Sequence, residues 1–192
     1  MPRPKVQSDE QVLDAALALL HKNGTAALTF AALANLSGLS AATLVQRFGS
    51  KTELTQRVLL HAWDRLDTRT RELAAAVPKT PDGAVELLIG LSQRDADIGS
   101  YGDGLLVLRE DLRDPVVRRR GAAWRTALTA ALDECFRSLP GAPAGIGYAL
   151  AAHWQGAQIW WAFAPDRPIA EYLAESLRQA ISIMLPSATT PS

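Results

Sequence analysis

The amino-acid sequence predicts an all-α protein of about nine helices. Apolar residues recur at three- and four-residue spacing along most of the chain, and no segment shows the strict alternation that is typical of a half-buried strand. Glycine and proline fall mainly between the periodic segments, where they would end or begin helices. With 192 residues and 48% hydrophobic content, the chain is long and apolar enough to form a sizeable core.

The first helix is predicted to begin at Ser8 and to end at Asn23-Gly24. Ser8 and Gln11 have the spacing of a capping box, in which each side chain bonds the other residue's backbone N–H. Gly24 suits the left-handed position that follows many helices. The buried stripe of this helix is predicted to comprise Val12, Leu13, Ala16, Leu19 and Leu20.

A second helix and a tight turn are predicted next. Thr29 has the side chain of an N-cap, because its hydroxyl can accept a hydrogen bond from the first helical turn. Gly38 lies where the turn requires a positive φ. The predicted buried face of the second helix comprises Phe30, Leu33, Ala34 and Leu36.

Ser40 is predicted to cap a third helix, which runs from Ala41 to about Phe48. Leu44 and Phe48 are four residues apart and should face the other two helices. A second capping box, Ser50-Lys51-Thr52-Glu53, opens a fourth helix that should run to Val77.

The remaining chain is predicted to form five more helices, separated by proline- or glycine-containing segments. The glycine-rich patch between Gly99 and Gly104 is interpreted as one of these separators. Residues 1–57 are expected to form one domain preceded by a mobile arm at 1–7, and residues 58–192 a second domain. The predicted later helices are Asp82–Ile98, Leu105–Leu112, Pro115–Leu139, Ala144–Ala164 and Ile169–Leu185.

Residues 8–56 resemble the DNA-binding domain of TetR/AcrR family transcriptional regulators. The resemblance implies a helix-turn-helix domain followed by a divergent domain for ligand binding and dimerisation. It also implies a ligand-responsive repressor that binds a pseudo-palindromic operator as a homodimer. Where the family usually has Tyr and His, this chain has Val45 and Arg47. The residues that carry the resemblance are Val12–Ala16, Gly24, Thr29, Leu33, Ala34, Gly38–Ser40, Thr43, Leu44, Phe48 and Ser50–Leu54.

The third helix is the predicted recognition helix, which would enter the DNA major groove. Gln46 can bond an adenine edge bidentately, and Val45 can touch a thymine methyl group. Small side chains at Ala41 and Ala42 allow close approach to the bases. Phosphate contacts are expected from Thr29, Ser40, Thr43, Arg47 and Lys51, with further contacts from Arg3 and Lys5 on the arm.

Large aromatic residues concentrate in the second half of the chain and could form the walls of a pocket for an apolar or aromatic effector. The alternative is that each of them simply fills the core. The candidates for the pocket are Trp63, Tyr101, Trp124, Tyr148 and Trp154.

The last two helices are the predicted dimer interface. One carries a stripe of small residues that permits close helix approach, and the other an apolar stripe. Two such helices from each subunit would form a four-helix interface. The candidate residues are Gly145, Ala149, Ala152, Gly156, Leu173, Leu177, Ile181 and Met184.

Other classes of protein receive little support from the sequence. Cys135 is the only cysteine, the three histidines show no metal-ligand spacing, and no nucleophile elbow or phosphate-binding glycine loop is present. We therefore expect no enzyme, metal or cofactor. The longest apolar run is far below the roughly 20 residues of a membrane span, and the N-terminus has no signal-peptide core, so a cytoplasmic protein is expected. A dimeric small-molecule-binding protein without sequence-specific DNA binding is the alternative, because Val45 replaces the family's usual Tyr and the formal net charge is zero.

Overall fold

The computed structural model describes residues 7–92 and 98–185. Within those ranges the chain forms nine α-helices and no strand, which confirms the predicted all-α fold. The helices are α1 (Asp9–Ala27), α2 (Phe30–Ser37), α3 (Ala41–Phe48), α4 (Lys51–Ala76), α5 (Pro81–Ser92), α6 (Ile98–Arg113), α7 (Pro115–Glu134), α8 (Ile146–Phe163) and α9 (Ile169–Met184).

The chain divides into two compact units. Unit 1 comprises Met1–Leu66 and Gly102–Gly121, and unit 2 comprises Asp67–Tyr101 and Ala122–Ser192. This division differs from the predicted segments 1–57 and 58–192, because part of α6 and the start of α7 pack with the N-terminal helices. Such long-range packing leaves no local signal in the sequence. The assignment of DNA binding to one segment and ligand binding to the other stays a prediction.

The predicted start of α1 is confirmed. The Ser8 hydroxyl accepts a hydrogen bond from Gln11 N at 3.2 Å, and Ser8 N donates to Gln11 Oε1 at 3.1 Å. Gly24 has the expected positive φ of 71°, with ψ of 176°. These non-helical angles break the regular helix at Gly24, where its end is predicted, and a short second helical segment follows across the kink to Ala27.

The helix-turn-helix is also present as predicted. Thr29 Oγ1 accepts from Ala32 N at 3.1 Å at the start of α2, and Gly38 closes that helix with φ 71° and ψ 7°. Leu33 is fully buried, but the prediction that Leu36 faces inward was wrong, since it is 58% exposed. The inward face of α2 instead continues from Leu33 to Ser37, one helical turn later.

Leu44 and Phe48 of α3 contribute to a buried apolar cluster in unit 1, as predicted. They are 0% and 2% exposed, and full burial of such a side chain stabilises a fold by about 1.5–3 kcal/mol. This cluster also contains Val107 of α6 and Val117 of α7. The burial of one face of α3 determines which of its residues remain on the surface.

Two predicted boundaries in the second half were wrong. The Gly99–Gly104 patch lies within α6, because glycine weakens a helix by only about 1 kcal/mol per residue and does not prevent it. The helix predicted to reach Leu139 ends as α7 at Glu134, and turns follow. Over the described ranges, no helix is both long enough and apolar enough to cross a membrane.

Candidate nucleic-acid interface and ligand-binding residues

The third helix exposes one continuous face. Its N-terminal residues Ala41 and Ala42 are exposed, as are Val45 and Gln46 one turn later. Because Leu44 and Phe48 point into unit 1, these four residues form the surface on the opposite side. Ala41 and Ala42 have short side chains, so Val45, which is 47% exposed, and Gln46 project furthest from this face. The small side chains at its start would let α3 lie close to the surface of a binding partner.

The predicted phosphate-binding hydroxyls already serve as helix caps. Ser40 Oγ accepts from Thr43 N at 3.0 Å and lies 2.8 Å from Thr43 Oγ1, while Thr29 Oγ1 accepts from Ala32 N. Thr29 and Ser40 are exposed, and Thr43 is partly buried. A capping hydroxyl retains capacity for a further hydrogen bond, so the two roles are compatible.

Arg47 lies in an ion pair that the sequence did not indicate. Its Nε donates to Asp9 Oδ1 at 2.9 Å, and its Nη2 also bonds that oxygen. Arg57 of α4 donates to Asp9 Oδ2 at 3.0 Å and to the Arg47 carbonyl at 2.9 Å. Hydrogen bonds from the two guanidiniums, that of Arg47 first, lower the pKa of the Asp9 carboxyl, although partial burial opposes the shift. Arg47 therefore links the end of α3 to the start of α1.

Lys51 is exposed at the start of α4, and its ammonium donates to the Ala26 carbonyl at 3.3 Å. Beside it, the predicted capping box is present, with Ser50 N donating to Glu53 Oε2 at 2.7 Å and Glu53 N donating to Ser50 Oγ at 3.2 Å. The bond from Ser50 N–H lowers the pKa of the Glu53 carboxyl.

An open cavity of about 540 Å³ lies beside Lys51 within unit 1. In its wall, Gln56 Nε2 donates to Asp114 Oδ2 at 2.8 Å, which joins α4 to the start of α7. Asp114 Oδ1 accepts from Val116 N at 2.7 Å and Val117 N at 3.1 Å. Sequence reasoning missed Asp114, although an aspartate directly before a helix-starting proline is a common N-cap pattern. The cavity is lined by Thr25, Ala26, Lys51, Thr52, Thr55, Gln56, Leu59, Glu110, Arg113, Asp114 and Pro115.

Two of the five predicted pocket aromatics are buried in unit 2 with their N–H groups bonded. Trp124 Nε1 donates to Thr70 Oγ1 at 2.9 Å, and Trp154 Nε1 donates to Ser92 Oγ at 2.7 Å. Both tryptophans and both hydroxyl residues are buried. Each indole N–H thus donates its hydrogen bond to a hydroxyl group inside an apolar core, as buried tryptophans usually do.

The other three candidates lie in different environments. Tyr148 is 56% exposed, with the Arg125 guanidinium 5.9 Å from its ring centroid. Tyr101 is partly buried in unit 2, whereas Trp63 is partly buried in unit 1. The sequence pattern shows how many aromatic residues this region contains but not their surroundings, so their role as a pocket wall stays a prediction.

The predicted dimer residues also separate into two groups. Leu173, Leu177 and Ile181 are 0%, 0% and 7% exposed, so their side chains are occupied by the core of unit 2. Gly145 is not in a helix but caps α8 with φ 79°. Ala152 is exposed, and Ala149, Gly156 and Met184 are partly buried. An amphipathic stripe identifies a buried face but not whether the same chain or a partner covers it.

A surface patch that the sequence reasoning did not single out follows the exposed side of α8. Tyr148, Ile159, Trp160 and Phe163 are 56%, 45%, 69% and 79% exposed. The rings of Trp160 and Phe163 lie 6.0 Å apart, within the range of aromatic pairs. Ala152 lies on the same helix at a spacing that continues this face. We refer to these five residues as the α8 patch.

Within residues 7–92 and 98–185, no group of three or more His, Cys, Asp or Glu side chains is placed to hold a metal ion. The predicted contacts of Arg3 and Lys5 lie outside the described residues.

Comparison with known proteins identifies the N-terminal region. The family model of bacterial regulatory proteins of the tetR family matches residues 12–58, which span most of α1 through the start of α4. A comparison with curated protein sequences finds no match.

Solved structures share the fold over most of the chain at low sequence identity. The TetR family transcriptional regulator PfmR from Thermus thermophilus is 19% identical, with a TM-score of 0.63 over 90% of this chain and 97% of that chain. A transcriptional regulator from Saccharomonospora viridis, in complex with choline, is 16% identical, with a TM-score of 0.70 over 91% and 95%. The multidrug binding protein EbrR, complexed with malachite green, is 21% identical, with a TM-score of 0.64 over 94% and 100%.

The matched segment is the one whose capped helices, Gly38 turn and exposed α3 face are described above, and proteins with this domain are DNA-binding regulators rather than enzymes. The family model thus identifies residues 12–58 as a domain of the tetR family of bacterial regulatory proteins, and the solved structures show that the chain shares their fold.

Proposed function

We propose that this regulator is a homodimeric repressor, that it binds a pseudo-palindromic DNA operator through α3, and that a small apolar or aromatic effector releases it. The observation that carries the proposal is the exposed α3 face of Ala41, Ala42, Val45 and Gln46, which is fixed in place by the burial of Leu44. A helix presented in this way can enter a major groove.

Specificity would come from the two projecting side chains of that face. Gln46 can bond adenine N6 and N7, and Val45 can pack on a thymine methyl group. Thr29, Ser40, Thr43 and Lys51 would contact phosphates and fix the register of the helix. Arg47 would have to release Asp9 before it could bind a phosphate. We therefore expect Lys51 to be the more important phosphate ligand of the two.

The dimer would form through the α8 patch, with Ala149 and Gly156 allowing the helices to approach closely. Exposed aromatic residues of this size are unusual on a monomer surface and mark interaction sites. Leu173, Leu177 and Ile181 would support α8 from inside unit 2 and would not contact the partner. A twofold dimer axis then requires an operator of two inverted half-sites.

An effector is supported by structural relatives that were solved with choline or malachite green. It would act by binding the DNA-free conformation more tightly, typically with about 1–3 kcal/mol of coupling. Trp63, Tyr101, Trp124 and Trp154 remain the proposed ligand residues, whereas Tyr148, the fifth candidate, lies in the α8 patch and would contact the partner. Of these, Trp63 is the one that combines partial exposure with an adjacent buried acid.

The test is a fluorescence titration of the purified protein against DNA fragments that flank its own gene, at several salt concentrations. We expect tight binding to one inverted-repeat fragment, roughly 1,000-fold or more tighter than to random DNA, as specific regulators typically show. Absence of salt-dependent binding to every flanking fragment would refute the repressor proposal.

The competing proposal is a dimeric small-molecule-binding protein without sequence-specific DNA binding. It is favoured by the intramolecular bonds of Arg47 to Asp9 and of Lys51 to Ala26, which occupy two cations of the predicted interface. The same titration separates the two proposals, because this protein would bind small ligands but show equal affinity for flanking and random DNA.

A further inference from the structure

A buried carboxylate in unit 1 has an oxygen without a partner. Asp111 of α6 is 9% exposed, and its Oδ1 accepts no hydrogen bond from the described residues. Val107, one helical turn earlier on the same face of α6, belongs to the apolar cluster of unit 1. An ionised carboxylate in such a place is costly unless it is paired, so an unpartnered one calls for an explanation.

Trp63 of α4 is the neighbour of this carboxyl. Burial raises the pKa of the Asp111 carboxyl, and a hydrogen bond that the Trp63 indole donates to it partly offsets that rise. On α7, a Cβ at Gly121 would lie 3.0 Å from the six-membered ring of Trp63, so the α7 backbone lies against that ring. Trp63 is itself only partly buried, whereas the unpartnered oxygen of Asp111 is fully buried.

Several arginines near Trp63, Asp111 and Gly121 in the sequence contact other acids, and Arg65 bonds Asp14. Arg120 of α7 donates to Asp64 at 3.1 Å and to the Trp63 carbonyl at 3.5 Å. Arg109 and Arg113 of α6 lie 3.8 and 3.7 Å from Glu110. Among the described residues, no donor, charged or neutral, forms a hydrogen bond with Asp111 Oδ1.

We propose that Asp111 and Trp63 form the recognition subsite for an organic cation, and that the effector of this regulator carries an ammonium or comparable cationic group. The cation would pair with Asp111 Oδ1, and its substituents would lie on the indole face, where cation–π attraction adds to the ion pair. This inference rests on the proposed function and adds to it the charge of the effector.

The test uses matched charged and uncharged probes with the purified full-length protein. Calorimetry would compare choline with its uncharged isostere 3,3-dimethylbutan-1-ol, and phenethylammonium with 2-phenylethanol, and would include malachite green as a larger cation. We expect at least one cation to bind and to bind more tightly than its uncharged partner. Asp111→Asn keeps the shape of the side chain but should weaken cation binding by roughly 10- to 100-fold.

Glu110→Gln is the matched control, since it removes the same charge from the adjacent residue of α6 and should leave cation affinity unchanged. Equal cation affinity in the two variants would overturn the subsite and leave Asp111 as a neutral buried acid. Failure of every cationic probe to bind the unmodified protein would overturn it as well.

A second measurement needs no variant, which covers the case in which Asp111→Asn does not fold. Burial raises the pKa of the Asp111 carboxyl to about 7. Binding of choline, which exchanges no proton itself, should therefore release protons at pH 7, and calorimetry in two buffers of different ionisation enthalpy detects this release. Cation binding without proton release would contradict the subsite. DNA binding is measured separately, so a protein that binds cations but no operator would refute only the proposed function.

Discussion

The Arg47 guanidinium and the Asp9 carboxylate form an ion pair that joins the end of α3 to the start of α1. Arg57 of α4 bonds the other oxygen of the same carboxylate. The side chains of Arg47 and Arg57 also approach the Phe48 ring, with guanidinium carbons 5.6 and 4.6 Å from its centroid. Arg47, which the sequence predicts as a phosphate ligand, thus also fixes the orientation of α3.

We therefore expect Arg47→Ala and Asp9→Ala to lower the free energy of unfolding in a coupled way. A double-mutant cycle by urea denaturation at pH 7 should give a coupling of about 0.5–1 kcal/mol, since the pair is partly exposed. The pKa of Asp9 is lowered in the folded protein, so the coupling should be present above pH 4 and disappear as the carboxyl is protonated in stronger acid. A coupling near zero at pH 7 would show that Arg47 has no structural role.

Gln46→Ala should weaken binding to the operator by about 1–3 kcal/mol and relax the preference at one base pair of each half-site. The reason is that the exposed amide can bond both edge atoms of an adenine. Gln179→Ala, an exposed glutamine on α9, is the control and should change nothing. Equal losses on operator and random DNA would count against base recognition by Gln46.

Lys51→Ala should weaken binding to all DNA sequences alike. The slope of log affinity against log salt concentration should become shallower by about one unit for each phosphate contact that is lost. Lys79→Ala is the control in unit 2, because Lys79 likewise bonds a backbone carbonyl, that of Ala74. An unchanged slope for Lys51→Ala would mean that its bond to Ala26 is its only role.

Asp111→Asn should change how stability depends on pH. The folded pKa of about 7 lies above the ordinary 3.8, so between these values the unfolded chain loses the proton first and stability falls as pH rises. At about 1.4 kcal/mol per unit, the penalty at pH 8 is of the order of 4 kcal/mol. Urea denaturation at pH 4 and pH 8 should show a smaller decrease in the variant than in the unmodified protein. Identical decreases would show that Asp111 titrates normally.

Charge introduced into the α8 patch should dissociate the dimer. Trp160→Glu and Phe163→Glu place a carboxylate where two copies would bury aromatic rings, and desolvating an unpaired charge is costly. Sedimentation at micromolar concentration should show dimers of the unmodified protein and monomers of the variants. Leu112→Glu is the control, since Leu112 is 59% exposed on α6 and lies outside the patch. A dimer that persists in both patch variants would place the interface elsewhere.

The sequence by itself determined the helices and most of their ends. The caps at Ser8, Thr29, Ser40 and Ser50 are hydrogen bonds between residues three apart, so their partners are adjacent in the sequence. The buried positions of α3 follow from helical periodicity in the same way. These local rules were sufficient to predict the fold class and the exposed face of α3.

Only the tertiary structure shows which side chains are already bonded to, or covered by, distant parts of the chain. Asp9 pairs with Arg47 across 38 positions of the chain, and Trp124 with Thr70 across 54, distances at which no sequence period operates. Periodicity shows that Leu173 is buried, but only the packing of α9 within unit 2 shows that its own chain covers it. The unpartnered oxygen of Asp111 is likewise invisible in the sequence, because a missing partner is a property of three-dimensional neighbours.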